Sequence, residues 1–164
     1  EKRGRATYED GKVKIENPDG TKIDAEDVVK GARIIVNSWD QAVKAVDNIL
    51  MPQINKIKGL YKDSKIGYRG SLATGKKYPS GNFDPKDWDV DGFIVSDELY
   101  NNLPQGWKNG RDIPAINKIA DELESEFITI SGYRTEIGKP FTFKVWSTGQ
   151  FETTIKPYGY KILK

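Results

Sequence analysis

The chain has no cysteine, no histidine and a single methionine among its 164 residues. Without cysteine there is no disulfide, no thiolate nucleophile and no zinc–thiolate centre. Without histidine there is no Ser-His-Asp triad, no Cys-His pair, no paired-imidazole ribonuclease chemistry and no imidazole-bound zinc. What remains for catalysis is carboxylate, Lys, Arg, Ser, Thr and Tyr chemistry. Carboxylates with no softer ligand beside them suit Mg²⁺ or Mn²⁺, which take oxygen ligands. Long apolar runs are missing too, and no stretch reaches the length of a membrane span. The opening Glu1-Lys2-Arg3-Gly4-Arg5 does not read as a signal peptide. It also lacks an initiator methionine, which leads to the expectation of a piece of a longer protein or a processed product. A strong charge of one sign is absent as well: the net charge of +2 does not by itself argue for nucleic acid.

Against these absences stands enough apolar material to fold. The chain is 37% hydrophobic and 30% charged, with four Trp, eight Tyr and six Phe. Such a composition excludes global disorder and fits one domain with its own core. Lys12 to Glu16 alternates charged and apolar residues, Asn17-Pro18-Asp19-Gly20 is a turn, and Thr21-Lys22-Ile23 follows. This pattern predicts a β-hairpin. Asp24 is read as the cap of a helix to about Val36. Ser38 with Gln41 forms a capping-box pattern that opens a second helix carrying Val43, Val46, Ile49 and Leu50 on one face. The apolar spacing continues past Pro52 through Ile54, Ile57 and Leu60.

Strands are predicted at Ile66–Arg69, Asp87–Val95, Phe127–Ile130, Phe141–Trp146 and Phe151–Ile155. Residues 72 to 86 read as a loop, rich in glycine and proline. Short helices are expected near Asp97 to Leu103 and from an Asp112 cap, with Pro114 in the first turn and Ile116, Ile119, Ala120 and Leu123 as the apolar stripe. The alternation of helices and strands without an internal repeat predicts an α+β (α/β) fold: a mixed sheet flanked by helices. Residues 1–37 read as an N-terminal hairpin and helix appendage, and 38–164 as the main domain, the two forming one compact unit.

Two short stretches carry chemistry. Tyr68-Arg69-Gly70-Ser71 ends a strand in a tight turn. Glycine permits the close approach of a phosphate, and the Ser71 hydroxyl can donate to a phosphate oxygen. Asp87-Trp88-Asp89-Val90-Asp91-Gly92-Phe93-Ile94-Val95 is the second stretch. In a strand, positions i, i+2 and i+4 share a face, so Asp87, Asp89 and Asp91 are expected to line one face together. Ranking like charges that way is unfavourable unless a cation offsets them. Lys56, Lys58, Lys62, Lys65, Arg69, Lys76 and Lys77 form a basic stretch broken only by Asp63. They are expected to flank the turn and to hold a triphosphate or an RNA. Tyr68, Tyr78 and Trp88 are candidates for stacking a base.

A Gly-Ser turn after a strand, followed by Asp-x-Asp leading into a hydrophobic strand, resembles the signature of the DNA polymerase β-type nucleotidyltransferase superfamily. The matching residues are Gly70 and Ser71, then Asp89-Val90-Asp91-Gly92-Phe93-Ile94-Val95. Asp87-Trp88-Asp89 is a second register for the acidic pair, less suitable because Asp91 would then interrupt the hydrophobic strand. Gly75 resembles the small residue that often follows the turn. The resemblance covers residues 66 to 96, and beyond them only the order of elements agrees.

The resemblance implies transfer of a nucleotidyl group from an NTP to a hydroxyl acceptor such as tRNA or another RNA, a protein or a small molecule. It implies Mg²⁺ or Mn²⁺ on Asp89 and Asp91. Gly70, Ser71, Arg69, Lys76 and Lys77 are expected to hold the substrate's phosphates. The chain departs from the family's pattern in an inserted loop over 76 to 86. It also offers Lys144 where a third carboxylate is expected, leaving Glu152 and Glu136 as substitutes.

The small size, the scarcity of Met and the absence of Cys also resemble, in style, the C-terminal toxin modules of bacterial contact-dependent or polymorphic toxins. That likeness implies delivery as part of a larger protein into a target-cell cytoplasm and a cognate immunity protein over the cleft. Two other readings stay open from the sequence: a metal-dependent nuclease using the same acids, and a non-catalytic binding module.

Overall fold

A computed structural model describes residues 5–9, 12–16, 20–24, 33–77, 81–135 and 138–164. Near the N-terminus, β1 (Arg5–Glu9), β2 (Lys12–Glu16) and β3 (Lys22–Asp24) form an antiparallel sheet in that order. The expected hairpin is therefore present as β2–β3, with β1 added on its other edge. Ile15 and Val36 join the main core, and Ile34 bridges Ile130, so this first segment packs against the rest.

Helix α1 (Trp39–Leu60) begins where the capping pattern predicts. The Ser38 hydroxyl accepts from the Gln41 N–H (3.3 Å), and the Gln41 side chain accepts from the Asn37 N–H (2.7 Å). Ala42, Val46, Leu50, Ile54 and Ile57 are buried at spacings of three and four, the face that a core-packed helix presents. Pro52 is exposed within the helix and does not end it.

The chain then runs through β4 (Lys65–Arg69), a one-turn helix α2 (Ser71–Thr74), β5 (Asp91–Val95), α3 (Asp97–Asn101) and α4 (Pro114–Phe127). After these come β6 (Lys144–Trp146), a helical turn α5 (Thr148–Gln150), a π-helical turn at Phe151–Ile155 and β7 (Tyr160–Leu163).

The main sheet has the order β6-β5-β4-β7, with β4 antiparallel to both neighbours that flank it and β6 parallel to β5. With helices against this mixed sheet and a separate antiparallel sheet, the fold is α+β. Because side chains alternate along each strand, the register gives the sheet two distinct faces. Ile66, Tyr68, Ile94, Val145 and Leu163 enter the large core under α1 and α4. Phe93, Val95, Trp146, Tyr160 and Ile162 lie on the opposite face beneath Phe151 and Ile155, and Arg69 and Asp91 share it.

Several expected elements differ. The expected helix from Asp24 falls on residues 25–32, which lie outside the described residues, and 33–37 are not helical. There Ile34 N–H donates to the Thr129 carbonyl (2.7 Å) and the Ser131 N–H donates to the Ile34 carbonyl (2.8 Å). Asp112 does not cap α4; it sits in a 3₁₀ turn capped by Asn109, and α4 starts at Pro114. Phe127–Ile130 is the tightened end of α4 and not a strand: Ile130 N–H donates to the Phe127 carbonyl (3.0 Å). Phe151–Ile155 winds helically after a true capping box of Ser147 and Gln150, which puts Phe151 and Ile155 on one buried face. The strand expected over Phe141–Trp146 is trimmed to Lys144–Trp146, and β7 carries no signal distinguishing it from the aromatic residues before it.

Candidate functional site

Gly70 closes β4 with φ 82° and ψ −156°, a backbone region open essentially to glycine alone. Its carbonyl accepts from the Ala73 and Thr74 N–H groups (both 3.1 Å), which folds Ser71–Thr74 into one helical turn. Trp39 locks that turn from α1. Its indole N–H donates to the Leu72 carbonyl (2.7 Å), and its ring lies so close to Gly75 that a Cβ there would sit 3.0 Å from it. Gly75 itself is left-handed, at φ 74°, so both of its peculiarities demand glycine.

Across the antiparallel ladder Arg69 is paired with Asp91. The turn and the acid therefore meet: a Cβ on Gly70 would lie 3.9 Å from the Asp91 Cβ and 4.0 Å from Oδ2. Arg69 Nε donates to Asp91 Oδ2 at 3.0 Å, with each side chain about 30% exposed (31% and 30%). The Arg69 guanidinium also sits 5.8 Å from the centroid of the Trp146 ring. Asp89 precedes β5, and exposure alternates from exposed Asp89 through buried Val90 to half-buried Asp91. The charge of Asp89 helps hold the buried Tyr133 phenol above its ordinary range, after burial and the Glu124 carboxylate.

Asp87 does not join this pair. The predicted strand over Asp87–Val95 is regular only from Asp91, because residue 88 leaves the sheet to pair with another segment. Trp88 N–H donates to the Gly132 carbonyl (3.1 Å), and the Arg134 N–H donates to the Trp88 carbonyl (2.8 Å). Asp87 instead receives the Lys77 ammonium at 3.1 Å, with Asp84 also near it at 3.7 Å. Lys77 is thereby bound within its own loop, and the two acids hold its ammonium above its ordinary range, the Asp87 hydrogen bond first. Lys76 is exposed beside it, its backbone bridging Asn82.

Lys62 and Lys65 do not flank the turn: Lys65 opens β4 at its far end, roughly 16 Å from Gly70 at strand rise, and Lys62 lies in the turn before it. Lys56 points to Glu122 (3.7 Å). Glu152 is exposed on the π-helical turn and pairs with Lys156 (3.0 Å), while Glu136 lies outside the described residues. Among the described residues no three carboxylates gather as a metal cage. Continuing the β5–β6 register by two residues brings Thr142 opposite Asp91; its hydroxyl donates to Asn109 Oδ1 (2.6 Å).

Behind the site, a buried network fixes the lead-in to β6. Arg111 donates to the Phe141 carbonyl (2.9 and 2.6 Å) and pairs with Asp121 (2.7 Å). Fully buried Glu124 accepts from the Tyr133 hydroxyl (2.6 Å) and the Phe141 N–H (3.0 Å). Burial raises the Glu124 carboxyl above its ordinary value, against the lowering effect of these donors. The same carboxylate thus holds both Phe141, ahead of β6, and Tyr133, which pairs with Trp88 ahead of Asp89.

The aromatic residues picked for base stacking do not serve. Tyr68 and Trp88 are core residues at 0% and 3% exposure, and Tyr78 lies outside the described residues. A different aromatic cluster borders the site: Tyr100, Trp107 and Trp146, with Lys108 and Lys144, line a cleft of about 150 Å³. The signal in the sequence was Trp107 itself, a large ring between Gly106 and Lys108 in a polar loop.

No protein-family model matches the chain, and no curated protein or solved structure matches it either.

Proposed function

We propose that the chain transfers a nucleotidyl group from an NTP to a hydroxyl acceptor, with Asp89 and Asp91 holding Mg²⁺ or Mn²⁺. The observation that carries this reading is the meeting of turn and acid: Gly70 leaves open, 4.0 Å from Asp91 Oδ2, the volume that any other side chain would fill. A phosphate entering there would lie beside the Arg69–Asp91 pair, next in the chain to Ser71.

The donor set fits a small hard cation. Mg²⁺ is commonly bound by one or two carboxylates and completes its shell with water and substrate phosphates. Asp91 keeps 30% of its side-chain surface exposed while Arg69 engages Oδ2. When bound, the ion supplies charge neutralisation on the transferring phosphoryl group and on the departing pyrophosphate. The chain's own residues supply position. The β4–β5 ladder sets Arg69 beside Asp91, Gly70 admits the phosphate, and the Ser71 hydroxyl donates to it. With Asp91 holding the cation, Arg69 would turn its donors to phosphate oxygens, the bidentate geometry for which guanidinium is suited.

The test is incorporation of labelled NTP, each of the four in turn with Mg²⁺, into RNA and protein acceptors. Asp91→Asn is the control. Removing a charge from the metal-binding pair is expected to lower the rate by about 10²-fold or more, since electrostatic stabilisation dominates such transfers. Cleavage of RNA or DNA without any NTP, abolished by the same substitution, would replace this reading with that of a nuclease. Absence of NTP binding by calorimetry, with function intact in Asp89→Ala, would replace it with that of a binding module.

A further inference from the structure

The cleft beside the site has a chemistry of its own. Trp107, 71% exposed, stands at its mouth, and Lys144 Nζ lies 4.8 Å from the centroid of that ring. Lys108 Nζ lies 4.7 Å from the Tyr100 ring centroid and donates to the Leu103 carbonyl (2.8 Å). Tyr100 is further tied to Gln150, whose amide donates to its hydroxyl (3.2 Å). None of the lining residues is acidic, and among the described residues neither lysine has a carboxylate partner. An aromatic wall beside ammonium groups without a carboxylate partner suits a ligand that joins a planar ring to a negatively charged group.

The cleft is also tied to the phosphate turn. Trp146 lines it and lies beneath Arg69, which holds Asp91. Lys144 is paired with Phe93 in the sheet, two residues along β5 from Asp91 and on the same face. One strand across and two residues along is roughly 8 Å. A ribose with its first phosphates covers that span.

We propose that this cleft holds the nucleobase of the incoming nucleotide, stacked on Trp107, with Lys144 released from the indole face to the ligand's phosphates. This rests on the nucleotide-transfer reading above and names where its substrate lies. A single nucleotide fits better than a strand. The volume of about 150 Å³ is small beside the roughly 300–1,000 Å³ of most ligand pockets. A strand-binding groove repeats stacking rings and cations over several nucleotides. Here the neighbouring rings, Trp146 and Tyr100, already carry Arg69 and Lys108.

The full chain with Mg²⁺ is titrated with ATP, GTP, CTP and UTP, with tripolyphosphate, and with a short single-stranded RNA bearing a 5′-hydroxyl. Calorimetry gives the affinities, and the indole N–H signals of the four tryptophans, assigned with Trp107→Phe, report which ring is touched. We expect the Trp107 signal to move with at least one NTP and not with tripolyphosphate. Trp107→Ala should weaken that NTP on the order of ten- to a hundredfold, the range for losing one stacked base. Trp107→Phe should keep most of the affinity, and tripolyphosphate should bind both variants as it binds the native chain. NTP affinity unchanged in Trp107→Ala and in Lys144→Ala overturns the base site and leaves the phosphate turn standing. Failure of both NTP and tripolyphosphate to bind the native chain overturns both. RNA binding that depends on Trp107, without NTP binding, overturns the free-nucleotide assignment.

Discussion

Glu124 offers the sharpest test of how the site is held in place. Its carboxylate is fully buried in α4 and accepts from two groups that are themselves buried, the Tyr133 hydroxyl and the Phe141 N–H. Glu124→Ala leaves both donors without an acceptor. Each orphaned buried donor costs about 1–3 kcal/mol, and the lost side chain adds a cavity. Relief from burying a carboxylate offsets part of this, so a net loss of about 3 kcal/mol is expected. For a chain of this length that corresponds to a fall in Tm of about 6–12 °C.

Glu124→Gln isolates the charge, because an amide oxygen still accepts from both donors. Burial raises the Glu124 carboxyl in the folded protein. A carboxyl raised in this way contributes stability that is full below its ordinary value and is lost as pH climbs through the raised one. Native protein should therefore lose ground to Glu124→Gln as pH rises from the ordinary glutamate range, by up to about 1.4 kcal/mol per pH unit. The gap should then level off above the folded value. Thermal unfolding of the three proteins from pH 4 to 8 measures it. A gap that stays flat with pH, or that grows in favour of the native chain, refutes the reasoning: Glu124 would then be held as a well-compensated ion.

Two further substitutions test the framework around the site. Gly132→Ala places a Cβ 2.0 Å from the Pro85 carbonyl oxygen at a residue with φ 83°. Overpacking and left-handed strain together should cost about 3 kcal/mol or more, read as a fall in Tm; a loss below about 1 kcal/mol would mean that the residue 85–88 loop moves freely away. Asp47 accepts from the Tyr68 hydroxyl (2.8 Å) and the Lys161 ammonium (2.6 Å), tying α1 to β4 and β7. Asp47→Ala should cost about 2 kcal/mol in denaturant unfolding and Tyr68→Phe less, since the first orphans a buried hydroxyl and the second removes it. The reverse order would show that the hydroxyl finds another partner.

The parts of this protein legible in its sequence are those where one local signal meets no competitor. Ser38 and Gln41 announce α1, and the alternation around Asn17–Gly20 announces the β2–β3 hairpin. Gly70 announces a turn that needs a backbone only glycine adopts. Failures come where two signals agree on apolar character but not on period. Phe127–Ile130 and Phe151–Ile155 are short aromatic and β-branched runs that suit a strand as well as a helix end, and tertiary packing chose the helix. Asp87–Val90 reads as strand by alternation, yet Gly132–Arg134 competes for its backbone from far along the chain. The aromatic cleft was illegible for the same reason: Trp107 and Trp146 are distant in sequence, and it is the pairing of residues 108–110 with 143–145 that brings them together.

The acidic run is balanced within the chain itself. Three aspartates on one strand face would call for an external cation. The protein instead supplies its own: Lys77 takes Asp87, and Arg69 takes Asp91. Charge repulsion therefore does not demand a metal, and an ion entering at Asp91 has to displace a guanidinium at 3.0 Å. A divalent ion at similar range has twice the Coulomb attraction of a guanidinium, at the expense of giving up hydration that Mg²⁺ holds tightly. A triphosphate alters that balance because it offers Arg69 new acceptors and the ion new ligands at once. Cation and nucleotide should then bind far better together than either does alone, with the Arg69–Asp91 pair as the element that couples them. Measuring Mg²⁺ affinity with and without an NTP in the native chain and in Arg69→Met separates the contributions. The substitution should raise affinity for the ion alone and lower the cooperativity, and an ion affinity that is unchanged would remove Arg69 from the account.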